Sequence, residues 1–195
     1  MGKDNGVWPF ADLRMFSYDV IVCDPPWLME LRSVKGEGKS PQAQYECMSN
    51  EAILQLPVGD LIGSEGWLFL WTSAPKLDLG FDCLKRWGFT YTSRLSWLKI
   101  TAKNRKRRMG PGYVVRTFHE DILIGKIGEP RLRKALPSLF DGVAREHSRK
   151  PDEFYDLIDK FAAPGARKLD LFSRQTRPGW TSYGDERTKF DEVAA

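Results

Sequence analysis

Asp24, Pro25, Pro26 and Trp27 stand in a row and could together act on a flat, amino-bearing ring. Asp24 supplies a carboxylate that accepts hydrogen bonds. Pro25 and Pro26 fix two consecutive φ angles and donate no N–H, so their carbonyls are expected as stiff, free acceptors beside Asp24. Trp27 adds a broad π-surface. A carboxylate, a rigid carbonyl and a stacking platform suit the gripping of a planar base by its exocyclic NH2. The same run also reads as an ordinary strand-to-loop exit, because proline pairs punctuate loops.

The element that must position this corner lies just upstream. Val20, Ile21, Val22 and Cys23 form a short apolar run within 18–24, the pattern of a strand covered on both faces. Asp24 then falls at the carboxyl end of that strand, the edge where open α/β sheets bind ligands. Residues 28–48 lose the pattern and read as a long loop with Tyr45 near its far end. Ser49 is placed to cap a short helix carrying Ala52, Ile53 and Leu56 and stopped by Pro57. Gly66 opens a second buried strand, Trp67 to Trp71. Pro75 starts a helix with Leu77, Phe81 and Leu84 on one face, ending at Gly88.

Residues 89–100 read as a strand, and 113–125 as a second one antiparallel to it. Residues 126–147 carry no clear pattern. Pro151 opens a helix at its favoured first position, with Asp152 and Glu153 at the positive dipole end and Phe154, Leu157, Ile158 and Phe161 as its buried face. Pro164 and Gly165 turn the chain into a third buried-type strand, 168–172, and the tail from Arg174 is polar and turn-rich. Strands alternating with helices predict an α/β sheet of parallel strands.

The 195 residues are expected to form one domain, 1–195, with a sizeable core. Hydrophobic content of 42% and charged content of 29% are ordinary for a soluble globular chain. No run approaches the roughly 18 apolar residues of a membrane span. The polar start lacks the apolar centre of a signal peptide, so an intracellular protein without membrane contact is expected. Cys23, Cys47 and Cys83 are widely spaced and His119 and His147 are far apart, which predicts neither disulfides nor a metal site.

A Gly-x-Gly-x-x-Gly motif is absent, against a nicotinamide dehydrogenase, and Gly36-x-Gly38-Lys39-Ser40 lacks the first glycine of a phosphate loop. The net charge of +4 is mild, yet Lys99, Lys103, Arg105, Lys106, Arg107 and Arg108 crowd into one short stretch. Such a run is either a solvated loop or an arm that contacts phosphates.

The tetrad Asp24-Pro25-Pro26-Trp27 resembles the signature of S-adenosylmethionine-dependent amino-group methyltransferases. With its Trp it is similar to the family of the eukaryotic messenger-RNA adenine methyltransferase and its bacterial and phage relatives. Further blocks follow in the family's order: Tyr45, Trp67 to Trp71, Trp87-Gly88-Phe89, Trp97-Leu98-Lys99, Ser148 to Tyr155, Asp170 to Arg174, then Trp180 and Gly184. The most specific are the tetrad and Lys150-Pro151-Asp152-Glu153.

The resemblance implies a Rossmann-like methyltransferase sheet with helices on both faces and a circularly permuted motif order. It implies that Asp24, Pro25, Pro26 and Trp27 are catalytic, and that Asp24 also touches the cofactor's amino group. Lys150 would contact the methionine carboxylate of S-adenosylmethionine or hold the loop over it. Asp170 and Arg174, with Phe172 between them, would line the sugar region, and Asp12 with Leu13 would flank the adenine. Lys150 also reads as a residue preceding a helix, and Asp170 as one capping a turn. Asp185 and Glu186 stand where eukaryotic members usually carry an amide pair; both can accept from ribose hydroxyls, but neither donates. The segment between Arg174 and Trp180 is shorter than in those members.

The expected reaction methylates the exocyclic amine of adenine in DNA. Trp27 and Tyr45 would stack the base, and Lys103, Arg105, Lys106, Arg107 and Arg108 would track phosphates. No metal is required. The brevity of the chain favours DNA over RNA and a bacterial or phage-encoded, cytoplasmic, nucleoid-associated enzyme. RNA is the alternative substrate. A silent nucleic-acid-binding partner subunit and a small-molecule or protein amine methyltransferase are the competing classes, and a homodimer or heterodimer is left open.

Overall fold

The computed structural model describes residues 8–28, 47–110, 112, 114–146 and 148–191. Seven strands form one sheet: β1 (Tyr18–Cys23), β2 (Ile62–Thr72), β3 (Thr90–Ile100), β4 (His119–Ile127), β5 (Leu139–Val143), β6 (Lys168–Leu171) and β7 (Trp180–Tyr183). Their order across the sheet is β5-β3-β4-β2-β1-β6-β7. Three α-helices accompany them: α1 (Asn50–Leu54), α2 (Leu77–Arg86) and α3 (Asp152–Phe161).

β1 is central because its side chains are apolar on both faces. Ile21 and Cys23 join one core layer with Leu68 and Leu70 of β2, Ile53 of α1, and Cys83 and Leu84 of α2. Val20 and Val22 join the other with Phe69 and Trp71 of β2 and Phe154, Ile158 and Phe161 of α3. Strand alternation thus sends successive residues to opposite layers, and helices cover both faces as the resemblance implies. β1 runs parallel to β2 and β6.

The sheet is mixed rather than wholly parallel. β4 is antiparallel to both β2 and β3. The β3–β4 relation follows the sequence expectation, but β4 then inserts between β3 and β2, and no helix is needed to connect antiparallel neighbours. β2 begins at Ile62, before the expected Gly66. β4 begins only at His119, and Val114 and Val115 are 88% and 70% exposed. β5 lies in the stretch that carried no pattern, and β7 in the polar tail; both are short and half-exposed.

The helix starts also differ in detail. A 3-10 turn at Ala74–Lys76 delays α2 to Leu77, which turns Phe81 outward and puts Gly80, Cys83 and Leu84 inside. Phe81 packs edge-on against Tyr91 at the surface. Ser49 caps α1 as expected, accepting a hydrogen bond from the Ala52 N–H. Pro151 is the residue that caps α3, one position before the first turn.

Candidate active site

The carboxyl ends of β1, β2, β3, β5, β6 and β7 and the amino end of β4 share one edge of the sheet. Asp24 leaves β1 where the chain order departs to β2 on one side and β6 on the other. Such a switch point opens a crevice at the carboxyl ends of the strands.

The corner after Asp24 is pinned by backbone bonds. Asp24 N–H donates to the Leu171 carbonyl at 3.3 Å, Trp27 N–H to the Pro25 carbonyl at 2.8 Å, and Met48 N–H to the Pro26 carbonyl at 3.0 Å. The two proline carbonyls are therefore not the unused acceptors the sequence suggested. Each keeps a second lone pair, and the bond it already accepts fixes its direction.

Trp27 corrects a second expectation. Its indole is buried in the core layer of α1 and α2, and Nε1 donates to the Trp71 carbonyl at 3.2 Å. A large ring gains more by leaving water with its N–H satisfied than by lying open. Trp27 anchors the corner to β2 instead of offering a free stacking face. Tyr45 and the stretch from Gly36 to Ser40 lie outside the described residues.

Above this corner sit alternating charges. Lys150 Nζ lies 3.0 Å from Asp24 Oδ2 and 3.3 Å from Glu120 Oε2. Lys99 Nζ binds the other oxygen of Glu120 at 2.5 Å. The Lys150 ammonium also stands 4.7 Å over the Trp71 ring. The resemblance placed Lys150 on the cofactor carboxylate or in holding the loop over it; its ammonium lies between two protein carboxylates, in the wall of the first cleft.

Burial pushes the Asp24 carboxyl above its ordinary value, Lys150 pulls it back, and Glu120 adds to the rise. For Glu120 burial also acts upward, but Lys150 and Lys99 together outweigh it and bring the carboxyl down to about 2. Glu120 was not singled out by the sequence because the expected strand, 113–125, ran past it; it stands at the amino end of β4, in the polar His119-Glu120-Asp121 start that precedes the apolar Ile122 to Ile124.

Two clefts flank the ends of β6 and β7. The first is lined by Asp24, Ser148, Lys150, Asp170, Phe172 and Arg174, among others. Asp170 belongs to its wall: it is buried and accepts from the Tyr155 hydroxyl at 2.9 Å and from Arg177 at 3.4 Å. Burial raises its carboxyl to about 6 against the pull of Arg177. Arg177, not singled out by the sequence, lies 3.5 Å over the Tyr155 ring and reaches Asp152 at 3.4 Å.

The second cleft, of about 380 Å³, is lined by Asp12, Leu13, Tyr18, Tyr183, Gly184 and Asp185, among others. The two share a wall at Gly184, where a Cβ would stand 2.9 Å from the Ser173 carbonyl. Ala11, Ser148 and Phe172 hold positive φ angles of 42°, 63° and 64° at these clefts. Such a conformation is costly for non-glycine residues, and it gathers at functional sites.

The side chains fit S-adenosylmethionine by type. In the first cleft its cationic groups match Asp24 and its carboxylate matches the basic side chains, Lys150 and Arg174. Its ribose hydroxyls and amino group match Asp185 and Asp12 in the second. Glu186 does not line either cleft; it pairs with Arg174 at 3.3 Å and with Lys189 at 2.6 Å.

Of the basic run, Lys99 is committed to Glu120. Lys103, Arg105, Lys106, Arg107 and Arg108 are all exposed, on the connection from β3 to β4 at the same sheet edge as Asp24. Thr101 N–H donates to the Lys106 carbonyl and Arg108 N–H to the Lys99 carbonyl, which folds this stretch into a fixed turn. Among the described residues no cluster of His, Cys, Asp or Glu could hold a metal ion. His119 is half-exposed and faces Asp121 at 3.7 Å.

A family model described as MT-A70 matches residues 18–186. A protein of Medicago truncatula named as a putative N(6)-adenosine-methyltransferase MT-A70-like is 31% identical over 92% of this chain and 29% of its own length. The human N(6)-adenosine-methyltransferase catalytic subunit METTL3 is 27% identical over 92% of this chain and 31% of its own length. The Drosophila melanogaster non-catalytic subunit METTL14 is 30% identical over 88% of this chain and 47% of its own length. The chain thus spans from under a third to about half of these relatives.

Proposed function

The chain belongs to the MT-A70 family, whose methyltransferases use S-adenosylmethionine, and from that premise we propose that it methylates the exocyclic amine of adenine in DNA. The observation that carries the reading is the Asp24 carboxylate, braced at the sheet's switch point between Lys150 and a rigid proline turn. The bound cofactor would supply an electrophilic methyl group. Asp24 would accept one N–H of the adenine amine and the Pro25 carbonyl the other. Those two acceptors turn the amine so that its lone pair, otherwise spread into the ring, points out of the base plane. Holding reactants so oriented can contribute roughly 7–11 kcal/mol. The same acceptors stabilise positive charge developing on the nitrogen.

The exposed turn from Lys103 to Arg108 supports a polynucleotide over a free base, because it sets five cations on the edge that carries Asp24. A base stacked in a duplex would have to leave it to reach Asp24. A cytoplasmic, nucleoid-associated location belongs to the DNA reading. RNA is the second reading, favoured by relatives whose names specify adenosine, the ribonucleoside. A silent subunit is the third, favoured by the likeness to a non-catalytic one. Against it stands the complete Asp24-Pro25-Pro26-Trp27 corner. Pairing with a homologous subunit, or with a second copy, is compatible with all three.

Nucleoside mass spectrometry after incubation with S-adenosylmethionine and DNA, RNA or free nucleosides separates these readings. The DNA reading expects N6-methyldeoxyadenosine. Methyladenosine alone moves the substrate to RNA. No product from any acceptor, together with no binding of S-adenosylmethionine in a cofactor titration, supports a silent subunit.

A further inference from the structure

The connection from β5 to α3 is closed on itself by one side chain. Arg145 Nη2 lies 2.7 Å from Asp152 Oδ1 and donates to the Lys150 carbonyl at 3.2 Å. One nitrogen thus ties the residue that carries the ammonium to the first turn of the helix that follows it. Glu153 Oε1 accepts the Val143 N–H at 3.3 Å, which fastens the same turn to the end of β5. Ala144 N–H donates to the Ile100 carbonyl at 2.9 Å, so Arg145 starts from a backbone already fixed on β3. Between these clamped ends Ser148 holds a φ of 63°, a conformation that persists in a non-glycine residue only where its surroundings enforce it. Arg145 itself lines neither cleft.

We propose that Arg145 is a positioning residue: by holding the Lys150 backbone to Asp152, it sets the Lys150 ammonium between Asp24 and Glu120. Lysine carries its charge on a flexible stem. Its ammonium keeps its places 3.0 Å and 3.3 Å from the two carboxylates only while the backbone beneath it stays put. Arg145 works through Lys150 and not by its own field. The charges that bear on the Asp24 carboxyl are those of Lys150, Glu120 and Arg174. Asp170 of β6 and Tyr155 of α3 face the same carboxyl. Loss of Arg145 leaves all of these in the protein but lets the ammonium drift, so that burial acts on Asp24 with less opposition. The catalytic consequence rests on the reading of Asp24 as the acceptor of the substrate amine.

The Asp24 carboxyl can be followed by carboxyl-carbon NMR against pH in the whole protein, its signal identified by its loss in Asp24→Asn. Arg145→Met should move the midpoint upward by about half a pH unit, the scale set by a weakened, partly exposed ion pair. Made on top of Lys150→Met, the same change should leave the midpoint where it is, since no ammonium remains to be positioned. Arg145→Lys should stay near the parent, because one ammonium has donors enough for both contacts. Asp152→Ala separates the effects by sign. Removal of a negative charge by itself lowers the midpoint, whereas release of Arg145 raises it, and a rise is expected. A midpoint unmoved by Arg145→Met, an equal shift with and without Lys150, or a fall in Asp152→Ala would each overturn the proposal. Thermal melting shows which variants are folded, and Asp152→Ala decides the matter where Arg145→Met does not fold. The titration needs no turnover. If the parent protein makes no methylated product, the reading of Asp24 as a catalyst falls, while the coupling of Arg145 to Asp24 is still decided by the midpoints.

Discussion

Lys150 Nζ sits 3.0 Å from Asp24 Oδ2, so the carboxylate assigned to grip the substrate amine is itself gripped by a lysine. Asp24 accepts an N–H most strongly, and best stabilises positive charge on the amine, when it is ionised. Burial opposes that ionisation and Lys150 favours it. Lys150→Met keeps the stem over the Trp71 ring and removes the charge, leaving burial unopposed. The Asp24 carboxyl should then rise further. The acid limb of kcat/KM against pH should move to higher pH, with the neutral-pH rate falling. An acid limb unmoved in the variant would mean that Lys150 does not set the charge of Asp24.

Glu120 holds two lysines apart. Its carboxylate bridges Lys150 and Lys99, and its side chain is only 26% exposed. Glu120→Gln leaves two ammonium groups facing a neutral amide, which should cost about 1–3 kcal/mol of stability after discount for its partial solvation. Because its carboxyl is depressed to about 2 from an ordinary 4.5, its stabilising contribution is present above about pH 4.5 and is lost as pH falls toward 2. Urea titrations at pH 7 and pH 3 should therefore show the variant's deficit shrinking at the lower pH.

Trp27 is an anchor, and a Phe in its place tests this. Trp27→Phe keeps an aromatic face but deletes the hydrogen bond to the Trp71 carbonyl. The expected result is a loss of about 1 kcal/mol in stability, the usual worth of such a bond, with a small cavity adding to it. An unchanged midpoint in urea, with weakened substrate binding alone, would return Trp27 to a stacking role.

Local pattern made the sheet's centre legible and left its margins obscure. Val20 to Cys23 and Leu68 to Trp71 are buried on both faces, so composition alone marks them as strands. β5 and β7 are edge strands with solvent on one side, and their mixed residues carry no periodic signal over four or five positions. The motif residues Asp12, Leu13, Asp24, Asp170, Phe172, Arg174 and Asp185 do line the two clefts. What order and spacing could not give was partnership. Glu120 is 30 residues from Lys150, and only the register of β4 brings them together; Arg177 is just seven residues from Asp170, but its polar, turn-rich segment gave no sign that the chain folds back there.

Asp170 carries a pH signature of the opposite sign to Glu120. Its carboxyl is raised from an ordinary 3.8 to about 6, so the folded protein binds a proton there that the unfolded chain has already lost. Stability from this group is fully present below about pH 4 and is lost as pH rises through 6. A rise of that size corresponds to about 3 kcal/mol. Asp170→Asn can still accept from the Tyr155 hydroxyl but cannot titrate. The stability of the parent protein relative to this variant should therefore grow as pH is lowered from 6.5 to 4, measured by urea denaturation. A difference independent of pH would show that Arg177 keeps Asp170 ionised throughout.

The exposed basic turn yields the clearest test of the partner. Lys99 must be left intact, because it belongs to the Glu120 cluster rather than to the free surface. Arg105, Lys106, Arg107 and Arg108 can be changed to Ser without touching any described ion pair. If they contact phosphates, each lost contact should reduce the slope of log affinity against log salt by roughly 0.7 for single strands or 0.9 for duplex. Binding should weaken alike for all sequences, since phosphate contacts position without specifying. S-adenosylhomocysteine affinity should be unchanged, because none of the four lines either cleft. Fluorescence titrations of single-stranded and duplex DNA at several salt concentrations measure the slope. A slope equal to that of the parent protein would make the turn a solvated loop and shift the footprint elsewhere on the surface, with exposed Arg131, Arg133 and Lys134 next to be tested.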